Sequence, residues 1–462
     1  MLICQGYAWA EETADPFSTA AGLSARPALH NADGTPCPPS ASDQALDLPA
    51  VVRLALCNNP QTREVWANSL AQAAQVGVTQ AGYLPSVSAS VAANRNSPGN
   101  NQRSAGLTLS YLLFDFGARA ANLENARQTL AAVAATQDAT VQNVFLAAVQ
   151  AYYQTQATQA SFEAATVSEH AAQQSFAAAE ARYQAGSATP ADKFAARSAW
   201  SQSTLNRITA QGAARIAQGN LANLLGLDAN QALMLASATE GGADAQAGGK
   251  RLADFEQDVA VLIEQARARR PDLRAAEATL KAAEAGADAA RAAGKPTISL
   301  SATTSQTNSA GLNTHGSTLG INLTVPLFAG YAPTYRVRAA EAQIETRKAQ
   351  LERIRLQVAL DVWTAWQNLA TATQNLRTTA DLLDSASQSE RVSLGRYKAG
   401  AGIMLDVLNA QNTLASARQQ RIQANFNWNI NRAVLAQAMG SLDEGLLTSL
   451  TDNTPQPEPT RP

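Results

Sequence analysis

No uninterrupted apolar run of about 18 residues occurs in the sequence, so the chain has no segment able to cross a bilayer as a helix. Any passage through a membrane would have to be made by strands. Aromatic residues are scarce, at 5%, and charged residues make up only 16% with a net charge of −2. So balanced a charge gives no reason to propose nucleic acid or an anionic membrane surface as partner, because both are recognised by clustered basic groups. The three histidines, His30, His170 and His315, are scattered and show no metal-ligand spacing. There is no nucleophile–base constellation and no phosphate-binding glycine loop, since Gly241-Gly242 and Gly248-Gly249 are loop composition. The residues give no grounds for a catalytic site, a metal or a cofactor, and the expectation is a protein that is not an enzyme. What is abundant is alanine, within a hydrophobic content of 46%, which suits long, closely packed helices better than a thick globular core.

Cysteine is almost absent as well. Ala8-Trp9-Ala10 before Glu11 has the small-x-small form of a signal-peptide cleavage site, so residues 1–10 are expected to be a signal remnant, with the numbering starting inside the signal. Cys4 falls within it and has no lipobox around it. In an oxidising compartment the other two, Cys37 and Cys57, could form a disulfide, which would tie the Pro-rich segment 11–46 to the first helix.

The chain repeats itself. Asn59-Pro60 matches Arg270-Pro271, and Leu84-Pro85-Ser86 matches Lys295-Pro296-Thr297, both at an offset of 211 residues. From Leu113-Phe114 against Leu327-Phe328 onward the offset is 214. It holds for Ala181-Arg182-Tyr183-Gln184-Ala185-Gly186 against Gly395-Arg396-Tyr397-Lys398-Ala399-Gly400, and for Asp192/Asp406 and Gly226/Gly440. Repeat 1 spans 47–235 and repeat 2 spans 254–450, separated by an equatorial loop at 236–253. The polar stretch 451–462 reads as a disordered tail.

The change of offset falls between segments of period two. Val87, Ala89 and Val91 alternate with serines, and Leu107, Leu109, Tyr111 and Leu113 alternate mostly with Gly, Thr and Ser. The second copy sets Ile298, Leu300 and Ala302, then Leu319, Ile321, Leu323 and Val325, against small polar residues. Strands are therefore expected over 86–95, 104–114, 297–305 and 317–327, joined by hairpin loops at 96–103 and 305–316. Polar faces that are small and uncharged, opposite continuous apolar ones, point to lipid-facing strands rather than to a soluble sandwich. Tyr111, Phe114, Phe116, Phe328 and Tyr331 cluster at the inner ends, where an interfacial girdle belongs. Four strands cannot close a barrel, and an open edge in lipid leaves backbone groups unpaired. The barrel must be shared: two subunits would supply eight strands and three would supply twelve.

Residues 118–185 and 332–399 contain one early proline and almost no glycine, and each predicts a helix roughly 100 Å long. Return helices are expected at 190–225 and 403–439, with further helices at about 48–82 and 255–293. The lengths suggest end-to-end stacking of 190–225 on 255–293, and of 403–439 on 48–82.

Two ordered copies of helix, hairpin, long helix, tip and returning helix resemble the outer-membrane factor family, of which TolC is the best-known member. The resemblance covers about 48–442. It implies a mixed fold of α and membrane β: a long helical barrel in the periplasm under a transmembrane β-barrel shared by three subunits, four strands each. It implies as partners a homotrimer, the outer-membrane lipid, a periplasmic membrane-fusion adaptor and an inner-membrane ABC or other transporter. The family's periplasmic gate maps onto Asp406, Asn409, Asp192 and Tyr397, with adaptor-contacting tips at Arg182, Gly186, Arg396 and Gly400. Asn409 stands where the family has a second acid and Gly402 where it has an arginine, so the family's ionic latch is expected to be missing. Three copies of Asp406 around an axis would make a carboxylate ring that favours cations. Asp192 and Asp406 also sit where a helix start would use them as caps. The absence of a lipidated cysteine leans toward type I secretion of a large protein, such as the adenylate cyclase-haemolysin. Multidrug efflux is the alternative, and a helical envelope scaffold without a channel is a further one.

Overall fold

The computed structural model describes residues 15–21, 23, 45–96, 100–231, 233–236, 259–309 and 311–442. The expected signal remnant, Cys4, Cys37, most of the equatorial loop and the expected tail lie outside them. Among the described residues are eight helices and four strands: α1 Leu48–Asn58, α2 Pro60–Ala81, β1 Ser86–Asn96, β2 Asn100–Phe114, α3 Ala118–Gln184 and α4 Pro190–Leu224, then α5 Val259–Arg269, α6 Pro271–Ala292, β3 Thr297–Ser309, β4 Leu312–Thr324, α7 Ala332–Lys398 and α8 Met404–Ala438. The chain divides into two compact units that cut across the repeats, because each repeat contributes to both. One comprises 64–138 and 271–355 with the N-terminal residues to Ala25; the other comprises 26–63, 139–270 and 356–462.

The first unit holds a single antiparallel sheet in the order β1-β2-β3-β4. Its register aligns the apolar residues of all four strands. Val87, Leu109, Ala302 and Leu319 form one row and Tyr111, Leu300 and Ile321 the next, and a bulge at Leu113 brings Phe114 into line with Ile298 and Leu323. The opposite face is built of rows such as Ser88, Thr108, Thr303 and Thr318, with hardly a branched aliphatic side chain. Val91, Leu319 and Ile321 are 86%, 74% and 71% exposed in the isolated chain. Over these rows an exposed apolar face lies opposite a small polar one, the arrangement of a membrane barrel segment. Toward the hairpin end of β3 and β4 the same face turns polar at Thr304, Ser317, Gln306 and His315.

The strands are longer than expected. Polar residues of the anticipated loops, such as Gln102, Arg103, Thr307 and Thr314, pair across the hairpins, since the ladder uses backbone groups and needs no apolar side chain. β4 starts at Leu312 and stops at Thr324 rather than 327, just ahead of Pro326, which has no N–H to donate. Beyond β2, Asp115 organises the turn into α3. Its carboxylate accepts from the Gly117 and Arg119 backbone N–H groups (3.2 and 2.8 Å) and pairs with the Arg119 guanidinium at 3.1 Å. Arg119 also lies over the Tyr83 ring, 5.0 Å away. Among the helices of this unit, Asn125 donates to the Ala282 carbonyl (2.6 Å), and Arg291–Glu341 and Arg355–Glu277 form ion pairs.

The second unit contains the largest buried cluster. Leu48, Val51 and Val52 of α1 pack with Val144, Ala148, Val149, Tyr152 and Tyr153 of α3, Leu221 of α4, and Phe426 and Ala433 of α8. Leu46 adds a parallel bridge to Leu235. Small residues dominate the helix interfaces, including Ala196, Ala214, Ala217 and Ala222 of α4, and let the helix axes approach closely.

Two expectations about the helices are corrected here. The segments 48–82 and 255–293 are not single helices: each is broken before a proline, at Asn59 and Arg270. Proline disfavours the helical conformation in the residue before it, and Asn59 is extended, with φ −61° and ψ 128°. The expected stacking partners are also exchanged. Gly226, at the end of α4, lies so close to Asn58 that a Cβ there would sit 2.8 Å from its carbonyl oxygen. Gly440, at the end of α8, meets Arg269 and Arg270 in the same way. Each return helix therefore ends at the proline break of its own repeat. Asn59 secures the first junction, accepting from the Gln61 N–H (2.8 Å) and donating to the Leu224 carbonyl (3.2 Å). One side chain thus caps the start of α2 and the end of α4.

Candidate functional site: the paired helix tips

The turns α3–α4 and α7–α8 are two copies of one motif. At the first, the Gly186 N–H donates to the Tyr183 carbonyl and the Ser187 N–H to the Arg182 carbonyl. At the second, Gly400 donates to Tyr397 and Ala401 to Arg396. This is the two-bond C-terminal cap in which glycine takes positive φ, here 74° and 75°. The tips share a small core of Ala179, Ala196, Tyr397, Met404, Val407 and Leu408, with Phe176 packed on its edge and stacked on Trp200 at 5.6 Å. Above it, Ser175 and Gln411 exchange hydrogen bonds at 3.0 and 3.2 Å.

The two copies then diverge. Arg182 reaches across to the other tip, where its guanidinium lies 4.2 Å from the centre of the Tyr397 ring. It donates to the Tyr397 carbonyl at 2.8 Å and to that of Lys398 at 3.3 Å. A cation there satisfies the terminal carbonyls of α7 and complements the negative end of its dipole. The equivalent Arg396 turns back onto its own loop and donates to Ala401. Sequence placed both arginines at the tips but could not distinguish them, because both stand in the same Arg-Tyr-x-Ala-Gly motif.

The two acids diverge too. Asp192 closes a reciprocal cap with Thr189: its carboxylate accepts from the Thr189 hydroxyl and N–H (2.7 and 3.1 Å), and its own N–H donates to the Thr189 hydroxyl at 3.2 Å. Asp406 makes no such bond, because Ile403 occupies the cap position and offers no side-chain acceptor. Asp406 and Asn409 are both exposed. The Tyr397 hydroxyl is buried without a hydrogen-bond partner among the described residues, so Tyr397 is engaged through its ring and carbonyl. Gly402 is pressed against Arg396 and Tyr397, and a Cβ would meet both at 3.2 Å. The site thus brings Arg182, Tyr397 and the start of α8 together, while the Asp406 carboxylate has no hydrogen-bond partner among the described residues. Cys57, far along the chain in α1, is disulfide-bonded, and Cys37, its expected partner, lies outside the described residues.

A sheet segment with one lipid-type face, joined to helices of 67 residues that end in paired caps, defines an outer-membrane channel subunit with a helical periplasmic part. The model of the outer membrane efflux protein family matches twice, over residues 51–227 and 262–441, which are the two repeats. The chain belongs to that family. It is 31% identical to the protein CyaE of Bordetella pertussis over 91% of this chain and 90% of that one. It is 25% identical to the outer membrane protein TolC of Escherichia coli over 45% of each. Among solved structures, the outer membrane protein VceC of Vibrio cholerae superposes with a TM-score of 0.73 at 19% identity, covering 86% of this chain and 97% of that one. At that identity the likeness shows the fold alone.

Proposed function

We propose that three copies of this chain assemble into an export duct, a twelve-stranded barrel continued by a helical tunnel, which serves type I protein secretion and has no catalytic activity of its own. The observation that carries the reading is the sheet. β1 and β4 each pair on one side only, and both flank a face suited to lipid. Unpaired strand edges are not tolerated in hydrocarbon, so the sheet must close through other copies. Three copies rather than two is the assembly that the family implies. A second feature supports association. Phe194, Leu205, Ile208 and Ile216 are exposed along one stripe of α4 around Gly212, a surface suited to a neighbouring helix. Secretion of a large protein is favoured over drug efflux by the likeness to CyaE along nearly the whole chain. In this reading a periplasmic adaptor and an inner-membrane transporter meet the tips at Arg396, Gly186 and Gly400.

At the narrow end, three Asp406 carboxylates, uncommitted to capping, form the gate ring, with Asn409 one turn further along α8. Asp192 and Tyr397 hold the tips from behind. Single-channel recording in planar bilayers tests this. The wild type is expected to prefer cations and to be blocked by divalent cations, and Asp406→Ala should weaken both by several-fold. Unchanged selectivity would remove Asp406 from the gate, and absence of pores from folded, inserted protein would remove the channel.

A further inference from the structure

The two rims of the lipid-type face differ in chemistry. At the helix-proximal rim stand aromatic rings, with Phe114 and Phe116 edge to face at 4.8 Å and Phe328 and Tyr331 at 5.7 Å. At the hairpin rim the described strands carry no aromatic residue at all. On the same face as Val87, Ala89 and Val91, the register places Arg103 in the next row beyond Val91 and Arg95 one row beyond that. Ala93 pairs with Arg103 and Arg95 with Asn101, so the two arginines are diagonal neighbours on one face of the first hairpin. Both are exposed, and among the described residues neither makes an ion pair. Beside them, Asn308 donates to Asn313 at 2.6 Å in the row shared with Arg103.

We propose that Arg95 and Arg103 form a binding site for the phosphate groups of outer-leaflet glycolipid. Depth supports this. From the row of Phe114 to the row of Val91 is four steps of two residues, about 27 Å along the strands, or roughly 20 Å once strand tilt is allowed for. Arg103 and Arg95 therefore emerge where hydrocarbon gives way to headgroups. Their charge is the only charge on the four strands, and it is held on the lipid side rather than the lumen side. Guanidinium groups pair bidentately with phosphate oxygens, and their stems continue the apolar surface. Anchoring by rings at one rim is complemented by anchoring on phosphate at the other. The inference rests on the barrel reading for its depth.

Native mass spectrometry of the detergent-purified full-length protein, titrated with bisphosphorylated or dephosphorylated lipid A, tests it. The wild type should retain the phosphorylated lipid, and Arg95→Gln with Arg103→Gln should weaken retention about 30-fold. Both proteins should hold the dephosphorylated lipid equally poorly. Equal retention of the two lipids by the wild type, or an unaltered double variant, overturns the proposal. Pore conductance of the same preparations separates this from a failure to insert: a conducting variant that has lost lipid supports the site, and a conducting variant that keeps it refutes the site. If the double variant does not conduct, Arg95→Lys with Arg103→Lys replaces it, and retention there at the dephosphorylated level would equally overturn a phosphate site read by charge.

Discussion

Arg182 makes two kinds of contact with one partner, a ring contact and hydrogen bonds to the last carbonyls of α7, and so fastens the tips within a subunit. A charge-assisted hydrogen bond with a cation–π contact contributes about 2–3 kcal/mol in a half-buried setting. Arg182→Ala is therefore expected to raise the resting open probability markedly in single-channel records, whereas Tyr397→Phe should leave it unchanged, since that hydroxyl bonds to nothing described. Elsewhere, Tyr153 is buried beside Phe426, and burial pushes its hydroxyl up to about 12. A tyrosine raised above its unfolded value near 10 stabilises the fold fully below that pH, and the contribution is lost as pH rises through the folded value. Helical unfolding followed by circular dichroism should show stability falling by about 2–3 kcal/mol between pH 10 and 12. Tyr153→Phe should flatten that decline.

The sheet is an element with two separable roles. Its outer rows meet lipid and its inner rows meet water, so substitutions one residue apart should act on different properties. Ile321→Arg places a charge in the apolar band and should cost about 2–4 kcal/mol per subunit, visible as reduced recovery of folded protein in outer-membrane fractions. Thr303→Arg, on the opposite face, should insert normally and shift the conducted ions toward anions. The helices show a similar division. α3 and α7 are continuous over 67 residues each, while α4 and α8 stop where they meet a proline break.

For the molecule as a whole, both the open sheet edges and the apolar stripe of α4 call for neighbours. Ile208→Asp, at the middle of that stripe, should convert the proposed trimer to smaller species in light scattering of the detergent-solubilised protein. An unchanged mass would place the stripe outside the subunit interface.

The tandem repeat was legible as matched motifs at a constant offset, the strands as alternating segments, and the two very long helices as stretches almost without proline or glycine, all features of the chain that no partner alters. The acids and glycines of the two tips were legible as positions. Their commitments were not. Asp192 and Asp406 occupy matching places, yet a threonine at the cap position binds one and an isoleucine leaves the other free. The exchange of stacking partners was equally hidden, since helix lengths alone fit either pairing. What decided it was the close approach of Gly226 to Asn58 and of Gly440 to Arg269, a contact between residues more than 160 positions apart in chain order. Periodicity belongs to the chain, but which surfaces meet is settled only when backbones pack closely enough for a single Cβ to matter.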